Sequence, residues 1–149
     1  MRTAIAASFA AVLLVSTPAL ALSSRYTANS TLSPDALWAK VGEFCNIKAW
    51  LPGIDTCTLS NDGRTRTLGL KGGGTVVEEL ISRNDSKRAY TYRAVGGLPL
   101  DDYQSTIAVE PAPGGSMLVW TGTYKAKGQS DTDAQKFIDG LYASQKITR

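Results

Sequence analysis

The sequence predicts an α+β domain in which a curved antiparallel sheet wraps a single C-terminal helix, and three patterns carry that expectation. Apolar side chains recur at Ala134, Phe137, Ile138, Leu141 and Tyr142, the i, i+3, i+4, i+7, i+8 stripe of an amphipathic helix. Ahead of it, turn signals at Asn61-Asp62-Gly63, Gly72-Gly73-Gly74, Asn84-Asp85, Gly96-Gly97 and Pro113-Gly114-Gly115 separate short alternating segments, the mark of an antiparallel meander. Between a first strand and that meander, Ser33-Pro34-Asp35 opens a helix with Ser33 as N-cap and Pro34 at its favoured first position. The terminal helix is thus the one long element available to cover a face of the sheet.

That terminal helix is read from the N-cap Ser130, with Asp133 three residues on, toward Arg149. Gly140 sits within it and costs about 1 kcal/mol relative to Ala. Close packing against the sheet and room left over a ligand cavity both account for a glycine there.

Residues 1–21 read as a secretory signal peptide: Arg2, an apolar run from Ala4 to Val15, and Ala19-Leu20-Ala21 as an A-x-A cleavage site. Residues 22–149 then form one domain, exported to a periplasm or secreted. No later segment approaches the ~18 apolar residues of a membrane span, so stable membrane insertion is not expected. Without Arg2, fifteen Lys and Arg face thirteen Asp and Glu, with the signs interspersed. A nucleic-acid footprint would cluster the basic residues, so nucleic acid is not an expected partner. Lys125, Lys127, Lys136 and Lys146 read as solvated surface. The chain contains no His, which removes His-based triads and His-ligated metal sites; no metal or cofactor is expected. The oligomeric state is not legible. Cys45 and Cys57 meet an oxidising compartment after export, where an even count favours one disulfide. The rival reading, a reactive thiol, needs an activating cation, for which Lys48 is the nearby candidate.

In chain order, the first strand covers Arg25 to Leu32. Leu37, Trp38, Val41 and Phe44 then continue the first helix, and a short helical turn carrying Trp50 stops at Pro52-Gly53. Trp38 and Trp50 are expected against the sheet rim. Six strands follow over Ile54–Leu59, Arg66–Leu70, Thr75–Ser82, Ala89–Val95, Tyr103–Glu110 and Met117–Ala126. Period-two alternation sets Val76, Glu78 and Leu80 on one face, as it does Tyr90, Tyr92 and Ala94. Tyr103, Ser105, Ile107 and Val109 share a face, as do Leu118 and Trp120. No single strand decides which face meets the helix.

Strand, two short helices, six strands and a long terminal helix resemble the helix-grip fold of the SRPBCC superfamily, the START and pollen-allergen-like proteins. The closest likeness is to its polyketide cyclase/dehydrase and lipid-transport branch. It is carried by Leu37-Trp38-x-x-Val41 with Phe44, Trp50-Leu51-Pro52-Gly53-Ile54, Val77-Glu78-Glu79-Leu80 with Asp85, Tyr92, Leu98-Pro99 with Tyr103, Trp120, and Gly140-Leu141. The resemblance implies a seven-stranded sheet around the helix and a small hydrophobic partner, a lipid or an aromatic compound, held between them. Followed residue by residue into plant hormone receptors of this fold, Leu68, Leu70, Glu78, Tyr92, Tyr103, Ser105, Trp120, Phe137, Leu141 and Gln145 fall on cavity-lining positions. The Gly72–Gly74 and Gly96–Leu100 turns fall on loops at the cavity mouth. Leu51 stands where those receptors carry a carboxylate-gripping lysine, so a carboxylate held in that way is not expected.

Glu78 is the most informative polar residue, because an inward-facing acid is costly unless paired or solvated. Arg66 on the neighbouring strand has the parity to pair with it, and its cation should then lower the Glu78 pKa. Three roles remain open for Glu78: a structural ion pair, a ligand hydrogen bond, or acid-base catalysis in a cyclase or dehydratase with Arg66 and Tyr103. Tyr92, Tyr103 and Trp120 suit either an ordinary core or an amphipathic pocket. The leading expectation is a carrier or binding protein for a small hydrophobic molecule, with the enzyme as alternative and a small stress-related or interaction domain with a collapsed cavity as the third.

Overall fold

Seven strands and three helices follow one another in a computed structural model that describes residues 20–147. They are β1 (Leu22–Ser30), α1 (Pro34–Val41), α2 (Ile47–Trp50), β2 (Ile54–Leu59), β3 (Thr65–Leu70), β4 (Thr75–Asn84), β5 (Ala89–Gly96), β6 (Leu100–Ala112), β7 (Gly115–Ala126) and α3 (Asp131–Ala143). All but the last residues of the expected signal peptide lie outside the described residues.

The sheet order is β1-β7-β6-β5-β4-β3-β2, with every neighbouring pair antiparallel. Strands β2 to β7 form a meander, and β1 closes the far edge against β7. One face carries Arg66 and Leu68, Val76 and Glu78, Tyr90 and Tyr92, Tyr103, Ser105 and Ile107, and Leu118, Trp120 and Tyr124, all buried. That face meets α3 through Ala134, Ile138 and Tyr142. This is the α+β helix-grip architecture. Each fully buried aliphatic side chain of the interface contributes roughly 1.5–3 kcal/mol through apolar burial.

Both long helices start on the expected caps. Ser33 Oγ accepts from Ala36 N at 3.2 Å, and Ser130 Oγ accepts from Asp133 N at 3.1 Å. The end of α3 differs from expectation, since the helix stops at Ala143 rather than running toward Arg149. Beyond it the backbone leaves the helical path so that Lys146 N donates to Trp50 O at 2.8 Å and Ile147 enters the core. Burying Ile147 and joining α2 outweigh another helical turn. Gly140 also departs from both readings offered for it: it faces solvent, and a Cβ built there meets nothing within 4 Å.

Cys45 and Cys57 form a disulfide with Cα atoms 5.5 Å apart, and the described residues contain no free cysteine. It ties the segment between α1 and α2 to edge strand β2. Closing so short a loop contributes about 3 kcal/mol in the chain-entropy account. Trp38 lies at the rim as expected, its Nε1 donating to Asp85 at 3.1 Å under the Arg83 guanidinium. Trp50 does not. It is buried edge-on to Trp120, with ring centroids 5.4 Å apart, because α2 folds inward over the sheet. No helix among the described residues is long and apolar enough to cross a membrane.

Candidate functional site

The space between sheet and α3 is filled at one end and open at the other. At the filled end Trp120 stacks on Tyr142 at 4.2 Å and meets Trp50 edge-on. At the open end lies a cavity of about 220 Å³. Its walls come from α2, the turn after it and the start of β2 (Ile47, Leu51, Gly53, Ile54), from β3, β4 and the turn between them (Leu68, Leu70, Lys71, Val76, Glu78), from β5, β6 and the turn between them (Tyr92, Leu98, Tyr103), and from α3 (Phe137, Leu141). Larger hollows elsewhere are shallow and polar, as at Asp62, Arg64, Glu79 and Arg93 on the outer face. They lack the predominantly apolar walls that a ligand site needs.

Seven residues singled out in the sequence thus share this cavity: Leu68, Leu70, Glu78, Tyr92, Tyr103, Phe137 and Leu141. Ser105, Trp120 and Gln145 do not line it. Parity put Ser105 and Trp120 on the correct face, but their polar atoms are turned into a network behind the cavity wall. Trp120 Nε1 donates to Ser105 Oγ at 2.8 Å and to Tyr92 OH at 3.2 Å. Ser105 Oγ donates to Thr121 O at 2.7 Å. The Tyr142 hydroxyl lies 3.2 Å from Ser105 Oγ and 3.0 Å from the Tyr103 hydroxyl. Gln145, past the end of α3, donates from Nε2 to the Tyr26 hydroxyl at 3.3 Å and accepts Ile147 N at 2.7 Å. The network depends on Gly122 in β7, where a Cβ would stand 2.3 Å from the Tyr142 hydroxyl. Burial raises all three phenols: Tyr92 and Tyr103 well above the ordinary range, Tyr142 to about 12. They stay neutral at physiological pH and act as hydrogen-bonding groups.

Glu78 and Arg66 meet across the β3–β4 register, with Arg66 Nε donating to Glu78 Oε2 at 2.6 Å. Arg66 is fully buried. Its guanidinium lies 4.1 Å from the Phe44 ring centroid and 4.7 Å from that of Tyr92, and Nη1 donates to Phe44 O. Burial opposes the Arg66 charge, but the Glu78 carboxylate outweighs it, so the cation persists. The cation pulls the Glu78 pKa down, as expected, but does not set the net shift. Burial strips water from the carboxyl and raises its pKa despite the pull of Arg66. Glu78 Oε1 has no hydrogen-bond partner among the described residues, yet it is not sealed off as Arg66 Nη2 and the Tyr90 hydroxyl are. It faces the cavity.

Exposure sorts the lining into interior and mouth. Leu68, Val76, Glu78, Tyr92 and Tyr103 are buried, whereas Gly53, Lys71 and Phe137 reach solvent, Phe137 at 39 %. Lys71 N donates to Gly53 O at 3.0 Å, joining two of the turns that frame the mouth. The Gly96–Leu100 turn completes the frame. Gly97 has φ +91°, and a Cβ there would stand 2.0 Å from Thr75 O, so only glycine lets this turn close on β4. Lys71 was missed in the sequence because it belongs to a turn, where periodicity gives no direction. No group of His, Cys, Asp and Glu among the described residues is placed to hold a metal ion.

Comparison with known proteins agrees with this geometry. The family model described as polyketide cyclase / dehydrase and lipid transport matches residues 22–145. Among solved structures, the protein XoxI from Bacillus cereus is similar at 31% identity over 83% of this chain and 88% of that one, with a TM-score of 0.77. An uncharacterised protein from Bacillus thuringiensis is similar at 30% identity over 83% and 91% of the two chains, TM-score 0.76. Ara h 8.0201 shares the fold at 17% identity over 83% and 94%, TM-score 0.64. No curated protein matches. A family match across nearly all described residues, on a fold with this cavity, establishes that the chain belongs to the polyketide cyclase/dehydrase and lipid-transport family.

Proposed function

We propose that this protein is an exported carrier or binding protein for one small hydrophobic molecule, held between sheet and α3. One observation carries the reading: a cavity of about 220 Å³, open to solvent at one end, whose walls are apolar apart from Lys71, Glu78 and the two phenols. The size favours a small molecule, being below the roughly 300–1,000 Å³ typical of drug-sized ligands. Family membership supports binding of this kind, and the disulfide supports an oxidising, exported setting. Residues 22–149 are read as the mature domain, and Leu68, Leu70, Glu78, Tyr92, Tyr103, Phe137 and Leu141 as its ligand contacts.

The test is titration with an uncharged naphthylamine fluorophore. Wild type should bind it with enhanced emission, and Leu141→Trp should abolish binding while retaining the wild-type circular dichroism, because the added bulk enters the cavity. A wild-type protein that leaves the fluorophore unbound defeats the carrier reading.

One observation favours a second reading. Glu78 combines a raised pKa with an oxygen open to the cavity, as an acid-base group of a cyclase or dehydratase requires. Against any candidate substrate, Glu78→Gln separates the two: a hundredfold loss of turnover with binding retained establishes catalysis, and its absence leaves the carrier.

A further inference from the structure

The two charged side chains in the cavity wall have opposite sign and sit at opposite depths. Glu78 lies in the interior, its Oε1 facing the space and its Oε2 held by Arg66. Lys71 lies at the solvent end, in the turn between β3 and β4. The register sets the separation: Glu78 pairs with Arg66 well along β3, whereas Lys71 follows the last residue of that strand. Between them the wall is Leu68, Leu70, Val76 and Leu51. Arg66 neutralises Glu78 within the pair, but it presents no donor to the cavity: Tyr92 and Phe44 sandwich its guanidinium, Glu78 takes up Nε, Phe44 O takes up Nη1, and Nη2 is sealed from solvent.

From this arrangement we infer that the ligand is a small amphipathic organic anion bound apolar end first, its acid group at the mouth beside Lys71. The inference rests on the carrier reading and adds the ligand's charge and direction. An acid group at the inner end would lose its hydration and meet the Glu78 carboxyl oxygen, with no cationic donor there to replace its water. At the mouth the same group keeps its water on one side and meets an ammonium on the other. The apolar part then replaces water along the leucine walls. Specificity thus has an end that offers an acid group no cation, at Glu78, and an end that does, at Lys71. The modest volume fits a short acyl chain or a single aromatic ring rather than a two-chain lipid.

The experiment uses three eight-carbon probes that differ only at the head: octanoate, octanol and octyltrimethylammonium, each displacing the uncharged fluorophore. Wild type should take octanoate most tightly and the ammonium least. Lys71→Glu should weaken octanoate about tenfold, because reversal turns a contact worth severalfold at a solvated site into an equal repulsion. Octanol should move by about twofold or less, since Lys71 is exposed and its loss leaves the cavity walls in place. Nuclear Overhauser contacts should run from the octanoate methyl to the rings of Tyr92 and Tyr103. Equal affinity for octanol and octanoate, unchanged in Lys71→Glu, overturns the inference while the carrier reading stands. So do ring contacts from the carbon beside the carboxylate. If neither the fluorophore nor any of the three probes binds, the carrier reading itself falls and this inference falls with it.

Discussion

Arg66 and Glu78 are bonded at 2.6 Å inside the domain, and only one of the two carboxylate oxygens is committed to the pair. The pair therefore combines a structural obligation with an unoccupied acceptor. Removing one partner strands the other charge, which typically costs about 3–5 kcal/mol, whereas replacing both by apolar groups is often near neutral. Glu78→Leu should accordingly destabilise far more than the double variant Arg66→Met/Glu78→Leu. Urea denaturation midpoints of the wild type, both single variants and the double variant measure the difference. A double variant as unstable as the sum of the singles would remove the pair from the list of coupled contacts.

The raised Glu78 pKa has a definite sign in stability. The folded state holds this proton more tightly than the unfolded chain, whose value lies near 4.5, so stability from Glu78 is fully present below that value and is lost as pH rises through the folded pKa. Asp62 and Asp85 work oppositely. Hydrogen bonds from Ser60 and Arg83 lower their pKa values, so any stability from these exposed groups appears above the ordinary carboxylate range and fades on acidification. Subtracting the pH profile of Glu78→Gln from that of the wild type isolates the first effect. The difference should fall with rising pH; a flat difference between pH ~4 and ~8 would show that burial does not govern this carboxyl.

Gly122 is matched to the Tyr142 hydroxyl. Gly122→Ala should destabilise by about 1–3 kcal/mol through overpacking. The same change in a Tyr142→Phe background should cost clearly less, because the atom in conflict is gone. Thermal unfolding of the four proteins of this cycle gives the coupling directly.

Gly140 should be replaceable at a gain. A methyl there meets nothing, and Ala in a helix interior is favoured over Gly by about 1 kcal/mol, so Gly140→Ala should raise the denaturation midpoint. Unchanged affinity for the naphthylamine fluorophore would separate this position from the cavity; a lower midpoint would contradict its solvent-facing placement.

Thiol titration of the native protein should find no reactive group. Replacing both Cys45 and Cys57 by Ser should cost about 3 kcal/mol in chemical denaturation while the fold is retained. Two titratable thiols in native exported material would reject the bridge.

Most of this architecture was legible because it depends on periodicity and caps. Period two grouped Tyr90 with Tyr92 and Tyr103 with Ile107, the family resemblance chose the covered face, and period 3.6 placed Ala134, Ile138 and Tyr142 on the stripe of α3 that meets it. Parity, however, names a face and not a neighbour along it, so it could not tell that Trp120 lies behind the cavity wall while Tyr103 lies on it. Turns carry no period at all, which hid Lys71 and Gly53. Helix propensity continued past Ala143 with nothing to signal that Ile147 would be drawn into the core. The downward pull of Arg66 on the Glu78 pKa was legible from strand spacing, whereas the larger upward effect of desolvation depends on how the folded chain buries the carboxyl.

The Trp120 indole touches the Tyr92 hydroxyl from behind the wall, and Tyr92 faces the cavity. A molecule settling against Tyr92 therefore perturbs a fluorophore that it never contacts. Trp38, half-exposed under Arg83 at the rim, supplies a second emission from outside that environment. The protein carries its own optical readout of occupancy and an internal reference beside it, and in Trp38→Phe the remaining indole emission would come from buried Trp50 and Trp120 alone.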